Sequence, residues 1–198
     1  MVGRLSVALL CLCICPFGAP ADEAGNKPTE VYRTDLAKRI DIGVWSKAKT
    51  FKAPADGRNF LGPFGGQTST VLTLTDLPKH KFVRIRGNLV LHKSADGNGE
   101  GRPDLLSIMI DKGPVLGLFT LCNPRPGDEP GLQSFPDEFP YGNHAAGTGV
   151  EKVDLGFEGV EEDAEQIFCP IDMIVPHENE EVEIKFYSSF RDRWTNEA

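Results

Sequence analysis

From Phe82 to His92 the side chains take sides: Val83, Ile85, Leu89 and Leu91 fall on one parity, Arg84, Arg86, Asn88 and His92 on the other. Only an extended chain sends alternate residues to opposite faces, so this stretch predicts a strand with one face in a core and one in water. Similar patterning runs through Leu105–Ile110, Val115–Cys122, Ile167–Val175 and Val182–Phe190, and Thr68–Thr75 is rich in β-branched residues. Shorter strands are expected at Ile40–Trp45, where a helix starting at Thr34 is the competing reading, and within Val150–Phe157. No helical period of useful length survives. Asp111-Lys-Gly-Pro114 is a turn signal, so the segments on either side of it read as a hairpin. Many short strands punctuated by Gly and Pro bury their apolar faces only by stacking on a second sheet. The expected fold is all-β, a jelly-roll β-sandwich of two antiparallel sheets in a single domain over residues 31–198.

Two stretches interrupt the pattern. Thr50–Gly66 holds Pro54, Asp56-Gly57, Pro63 and Gly65-Gly66 around Phe60-Leu61, and reads as a long loop with an apolar plug. Asn123–Gly149 is full of Pro and Gly, with Phe135, Phe139 and Tyr141 scattered through it. A loop of that length is usually functional or unstructured.

Between two of the strands lies Asp96-Gly-Asn-Gly-Glu-Gly-Arg-Pro-Asp104. Asp96, Asn98 and Glu100 place side-chain oxygens at alternate positions, Gly101 follows for the sharp bend, the backbone carbonyl of Arg102 comes next, and Asp104 closes the turn. This layout wraps hard oxygen ligands around one cation, and three carboxylates in an all-protein cage suit Ca²⁺ better than Mg²⁺. It is not an EF-hand, because Ser107 stands where the bidentate Glu belongs and the flanks read as strands. The competing reading is a metal-free, soluble hairpin.

The N-terminus reads as a secretory leader. Arg4 precedes an apolar run from Leu5 to Cys15, and Ala19-Pro-Ala21 is a small-residue cleavage site. The run is too short to span a bilayer. The residues just before Cys11, Cys13 and Cys15 are Leu or Ile, which argues against lipid attachment. Residues 22–30 read as a flexible lead-in. Losing residues 1–21 removes one basic group, Arg4, and no acidic one, so the net charge moves from −8 to −9. An acidic chain without a Lys/Arg cluster argues against nucleic acid or anionic membrane as partner. Cys122 and Cys169 then remain, and an even count in an exported chain suggests a disulfide, which would stabilise by about 4 kcal/mol. Two separately buried thiols are the alternative.

The order Gly57-Arg-Asn-Phe-Leu-Gly-Pro-Phe-Gly65, Val71-Leu-Thr-Leu-Thr-Asp-Leu-Pro78, Asp96–Asp104, Gln133-Ser-Phe-Pro136, Leu155-Gly-Phe157 and Pro176-His177 resembles a group of secreted β-sandwich domains common in planctomycete-type bacterial genomes. The resemblance covers roughly residues 40–197. It implies a jelly roll like those of concanavalin-like and carbohydrate-binding modules, without an established activity. It also implies that Glu197 completes the calcium site and that a final strand, which follows this point in the group, is missing.

Other chemistry finds little support. Trp45, Tyr141 and Trp194 are candidate platforms for sugar rings, since an aromatic face packs on a sugar's apolar C–H face, although such residues more often plug the ends of sandwiches. Glu161, Glu162 and Asp163 offer carboxylates for a glycosidase, yet acidic runs are usually solvated turns. His80, His92, His144 and His177 lack metal-ligand spacing, and no nucleophile elbow surrounds any Ser. The expected function is a secreted or periplasmic, cell-surface binding module for glycan or matrix material, stabilised by structural Ca²⁺ and more in keeping with a binding protein than an enzyme. A polysaccharide-active enzyme on the same scaffold and a self-associating matrix protein are the alternatives.

Overall fold

The most strictly alternating stretch becomes the spine of the larger sheet. The computed structural model describes residues 4–15, 29–34, 36, 44–92, 94–99, 103–157 and 165–190. In chain order its strands are β1 (Arg4–Cys15), β2 (Thr29–Thr34), β3 (Thr50–Lys52), β4 (Asn59–Gly65), β5 (Gln67–Leu74), β6 (Phe82–Leu91), β7 (Ala95–Asp96), β8 (Leu105–Ile110), β9 (Val115–Thr120), β10 (Cys122–Asn123), β11 (Leu132–Gln133), β12 (His144–Ala145), β13 (Glu151–Val153), β14 (Gln166–Pro176) and β15 (Val182–Ser189). The larger sheet runs β13-β14-β6-β1-β4-β3, with β2 also on β1, and the smaller runs β5-β15-β8-β9. Every ladder is antiparallel.

Alternation accounts for how the sheets meet. Val83, Ile85, Leu89 and Leu91 of β6 and Ile167, Cys169 and Ile171 of β14 share one core with Leu72 of β5, Ile184 and Phe186 of β15, Leu106 and Ile108 of β8, and Phe119 of β9. Each such side chain contributes roughly 1.5–3 kcal/mol by leaving water. The expected sandwich of two antiparallel sheets is formed. A second, smaller core of Ala53, Phe60, Val90, Leu155 and Phe168 involves the opposite parity of β6. Phe51, Phe157 and His92 extend it, with ring centroids 5.1–5.5 Å apart.

Several expectations need correction. Thr50–Gly66 is not a long loop but contains β3 and β4, and Phe60 and Leu61 are fully buried. Pro63 is tolerated because the pairing of β4 with β1 jumps from Phe64 to Leu61, so no ladder hydrogen bond is asked of it. Thr29 and Glu30, expected in the lead-in, belong to β2, and the rest of that stretch lies outside the described residues. Cys122 and Cys169 form no disulfide: both are free and buried. Cys169 lies in β14 within the main core, whereas Cys122 pairs with Asp96 in the β7–β10 ribbon.

The segment read as a leader is β1. It lies between β6 on one side and β4 and β2 on the other, with Leu5 opposite Leu91 and Cys15 opposite Phe82. A short apolar run meets the requirements of a leader and of a central strand alike, so its composition did not announce the second role.

Candidate functional site

Antiparallel pairing sorts the connections to two ends of the sandwich. One end gathers the segments following β6, β9 and β13; the other gathers those following β5, β8 and β14.

At the first end the Asp96 turn is docked onto the Pro- and Gly-rich segment. Asn98 does this with its amide: Nδ2 donates to the Gly142 carbonyl at 3.1 Å, and Oδ1 accepts from the Thr120 hydroxyl at 2.5 Å. Thr120 and Ser134 are joined reciprocally, each backbone N–H donating to the other's hydroxyl at 2.8 Å. Gln133, wholly buried, donates from Nε2 to the carbonyls of Phe135 and Thr148 at 2.9 and 2.8 Å. Its Oε1 accepts from the N–H groups of Cys122 and Gly147 at 3.1 Å each. A buried amide satisfied at both ends fixes its surroundings, because any other arrangement leaves polar groups unpaired.

Glycine permits the close approach. Gly97 has φ +65° and a side chain there would come within 2.2 Å of the Leu132 carbonyl oxygen; one on Gly142 would come within 2.0 Å of the Ser134 carbonyl oxygen. The backbone turn at Glu138–Gly142, with N–H groups of Tyr141 and Gly142 donating to the Glu138 carbonyl at 2.9 Å each, then carries Tyr141 into solvent. Tyr141 is 86% exposed, and Leu132, 46% exposed, stands on the same loop cluster.

Of the oxygen-rich turn, residues 96–99 and 103–104 are described. The Asp96 N–H donates to Asp104 Oδ2 at 3.1 Å, so these two residues close the mouth of the turn. Asn98 directs its amide to Thr120 and Gly142, a docking role the spacing did not foretell. Glu100, Arg102 and Glu197 lie outside the described residues, as does Trp194. Among the described residues no three His, Cys, Asp or Glu side chains converge as a metal-holding group. Of the carboxylates in the expected ligand set, the described residues include Asp96 and Asp104.

Trp45 is corrected from a ligand contact to a core residue. It is 1% exposed, its Nε1 donates to the Tyr32 hydroxyl at 2.8 Å, and its ring lies 6.2 Å from that of Phe186.

The opposite end holds a cluster that sequence reasoning missed. His80 Nδ1 donates to the Pro78 carbonyl at 2.7 Å, and the stacked His177 ring lies with Nδ1 2.7 Å from His80 Nε2. His177 Nε2 is 3.4 Å from Asp111 Oδ2, and Asp111 Oδ1 accepts from the Glu183 N–H at 3.0 Å. The two histidines are 97 residues apart and have no spacing signal.

No protein-family model, curated protein or solved structure matches the chain.

Proposed function

We propose that the chain is a secreted, non-enzymatic β-sandwich binding module whose first loop end recognises glycan or other cell-surface material. The observation that carries the reading is Tyr141. An aromatic ring 86% in solvent stands on a turn whose next residue, Gly142, is bonded to Asn98 of the acidic turn. A ring held out on a rigid support suits the apolar face of a sugar, at little entropic cost on binding. Nearby carboxylates accept hydrogen bonds from hydroxyl groups. Calcium at Asp96 and Asp104 would tighten the same turn and add a Lewis-acidic contact for vicinal hydroxyls.

Glycan-array binding, followed by calorimetry on the best hit, tests the reading. Tyr141→Ala is expected to weaken binding at least tenfold with the fold intact, and Asp96→Ala and Asp104→Ala to abolish any calcium-dependent rise in melting temperature. Undiminished binding by Tyr141→Ala, or release of new reducing ends from a polysaccharide, sinks it.

A further inference from the structure

β1 joins the two halves of the larger sheet, and it is built from the residues that the secretory reading removes. Its partner β6 is held along the other edge by β14, from Leu91 opposite Ile167 to Phe82 opposite Pro176. Without residues 4–15 the remaining edge of β6 loses its ladder from Leu91 to Phe82. The facing edges of β4 and β2 lose theirs as well. Leu61 of β4 and Val83, Ile85, Leu89 and Leu91 of β6, all members of the main core, flank the resulting groove on its core face. Unpaired backbone polar groups beside an apolar core face are costly, and strand addition by another chain satisfies both at once.

We propose that the groove between β6 on one side and β4 and β2 on the other is a strand-accepting site. In the exported protein it takes an extended segment of another polypeptide, antiparallel to β6 and apolar at every second position. The proposal rests on the reading of residues 1–21 as a removable leader.

The register specifies the occupant's chemistry. Positions opposite Val83, Ile85, Leu89 and Leu91 belong to the core face and call for apolar residues. Positions opposite Arg84 and Arg86 belong to the outer face. There Arg84 donates to both oxygens of Asp172 at 2.7 and 2.8 Å, and Arg86 Nε lies 3.3 Å from the same carboxylate. Arg86 is 58% exposed, so an acidic residue opposite it adds an attractive contact and a basic one a repulsive contact. The natural partner is therefore an extended apolar segment with small or acidic outer positions.

The test uses the full chain with a protease site placed within residues 16–28. The protein is folded, cut, unfolded in urea to free the first segment, and refolded with a fluorescent peptide of residues 4–15 carrying Cys11→Ser, Cys13→Ser and Cys15→Ser. The groove predicts one peptide per chain and recovery of the uncut melting temperature. It also predicts no such recovery with a scrambled peptide that breaks the alternation. A peptide with Asp in place of Cys11, opposite Arg86, is expected to bind several-fold tighter than one with Lys there. Equal recovery without peptide or with the scrambled one overturns the groove. So does failure with the 4–15 peptide under conditions where the uncut chain refolds. N-terminal sequencing of exported protein tests leader removal separately: an uncut terminus overturns the secretory reading and with it the open groove, whereas a cut terminus with failure of the 4–15 peptide overturns the groove alone.

Discussion

Cys122 and Cys169 show how burial sets a residue's chemistry. Cys169 sits in the main core, where loss of solvent pushes its thiol well above the ordinary range. Cys122 is raised too, first by burial; the Gly131 N–H partly offsets this, and the nearby Asp96 carboxylate adds to it. A thiol that resists ionisation is a poor nucleophile, since the thiolate is the reactive form. Iodoacetamide at pH 8 is therefore expected to leave both thiols unmodified in the native protein and to alkylate both after denaturation without any reductant, as read by mass spectrometry. A requirement for reductant before alkylation would restore the disulfide. An even cysteine count said nothing of where each sulfur points, and that is why the bridge was a reasonable expectation and a wrong one.

On the outer face of β6 and β14 the same dependence on surroundings appears between strands. Asp172 lies directly across from Arg86, and Arg84 reaches it with two hydrogen bonds. Those bonds are the main cause holding the Asp172 carboxyl below its ordinary value, against a smaller opposing effect of burial. A carboxylate with a lowered folded-state pKa stabilises the fold above the unfolded value near 4. That stability is lost as pH falls through the lower folded value. With 28% of the Arg84 and 43% of the Asp172 side chain in solvent, screening limits the pair to about 1 kcal/mol or less. A double-mutant cycle with Arg84→Ala and Asp172→Ala, followed by urea unfolding, is expected to give a coupling of that size at pH 7 that fades below pH 4. A coupling that persists unchanged at pH 2.5 would contradict it. Elements such as β6, β14 and β15 were legible because a half-buried strand writes its two environments into alternate letters. β3 and β4 were not, because Pro63 and the flanking glycines carry loop signals that only the break in pairing with β1 makes harmless. At the site, the oxygen-bearing residues were legible as a turn, but not the use of Asn98 as a dock, since Thr120 and Gly142 are distant in sequence.

The two ends of the sandwich differ in what they expose, and on the proposed reading that difference is measurable. Tyr141 stands in solvent at one end. His80 and His177 are buried at the other, where the Pro78 carbonyl fixes which ring nitrogen of His80 donates. Removing the His80 ring leaves the Pro78 carbonyl and His177 Nδ1 without their partner and opens a void beside the stacked ring. Leaving buried polar groups unpaired costs about 1–3 kcal/mol each. For a chain of this size each kcal/mol moves the melting temperature by roughly 2–4 °C. His80→Ala is therefore expected to lower it by several degrees while leaving binding at the Tyr141 end unchanged. Tyr141→Ala should do the reverse, because an exposed ring contributes little to folding. With no shared partners the two changes should add, so the double variant should match His80→Ala in calorimetric melting and Tyr141→Ala in glycan binding. A loss of binding in His80→Ala at a temperature where the variant is fully folded would mean that the ends are coupled through the core, and that the loop end is not an independent site.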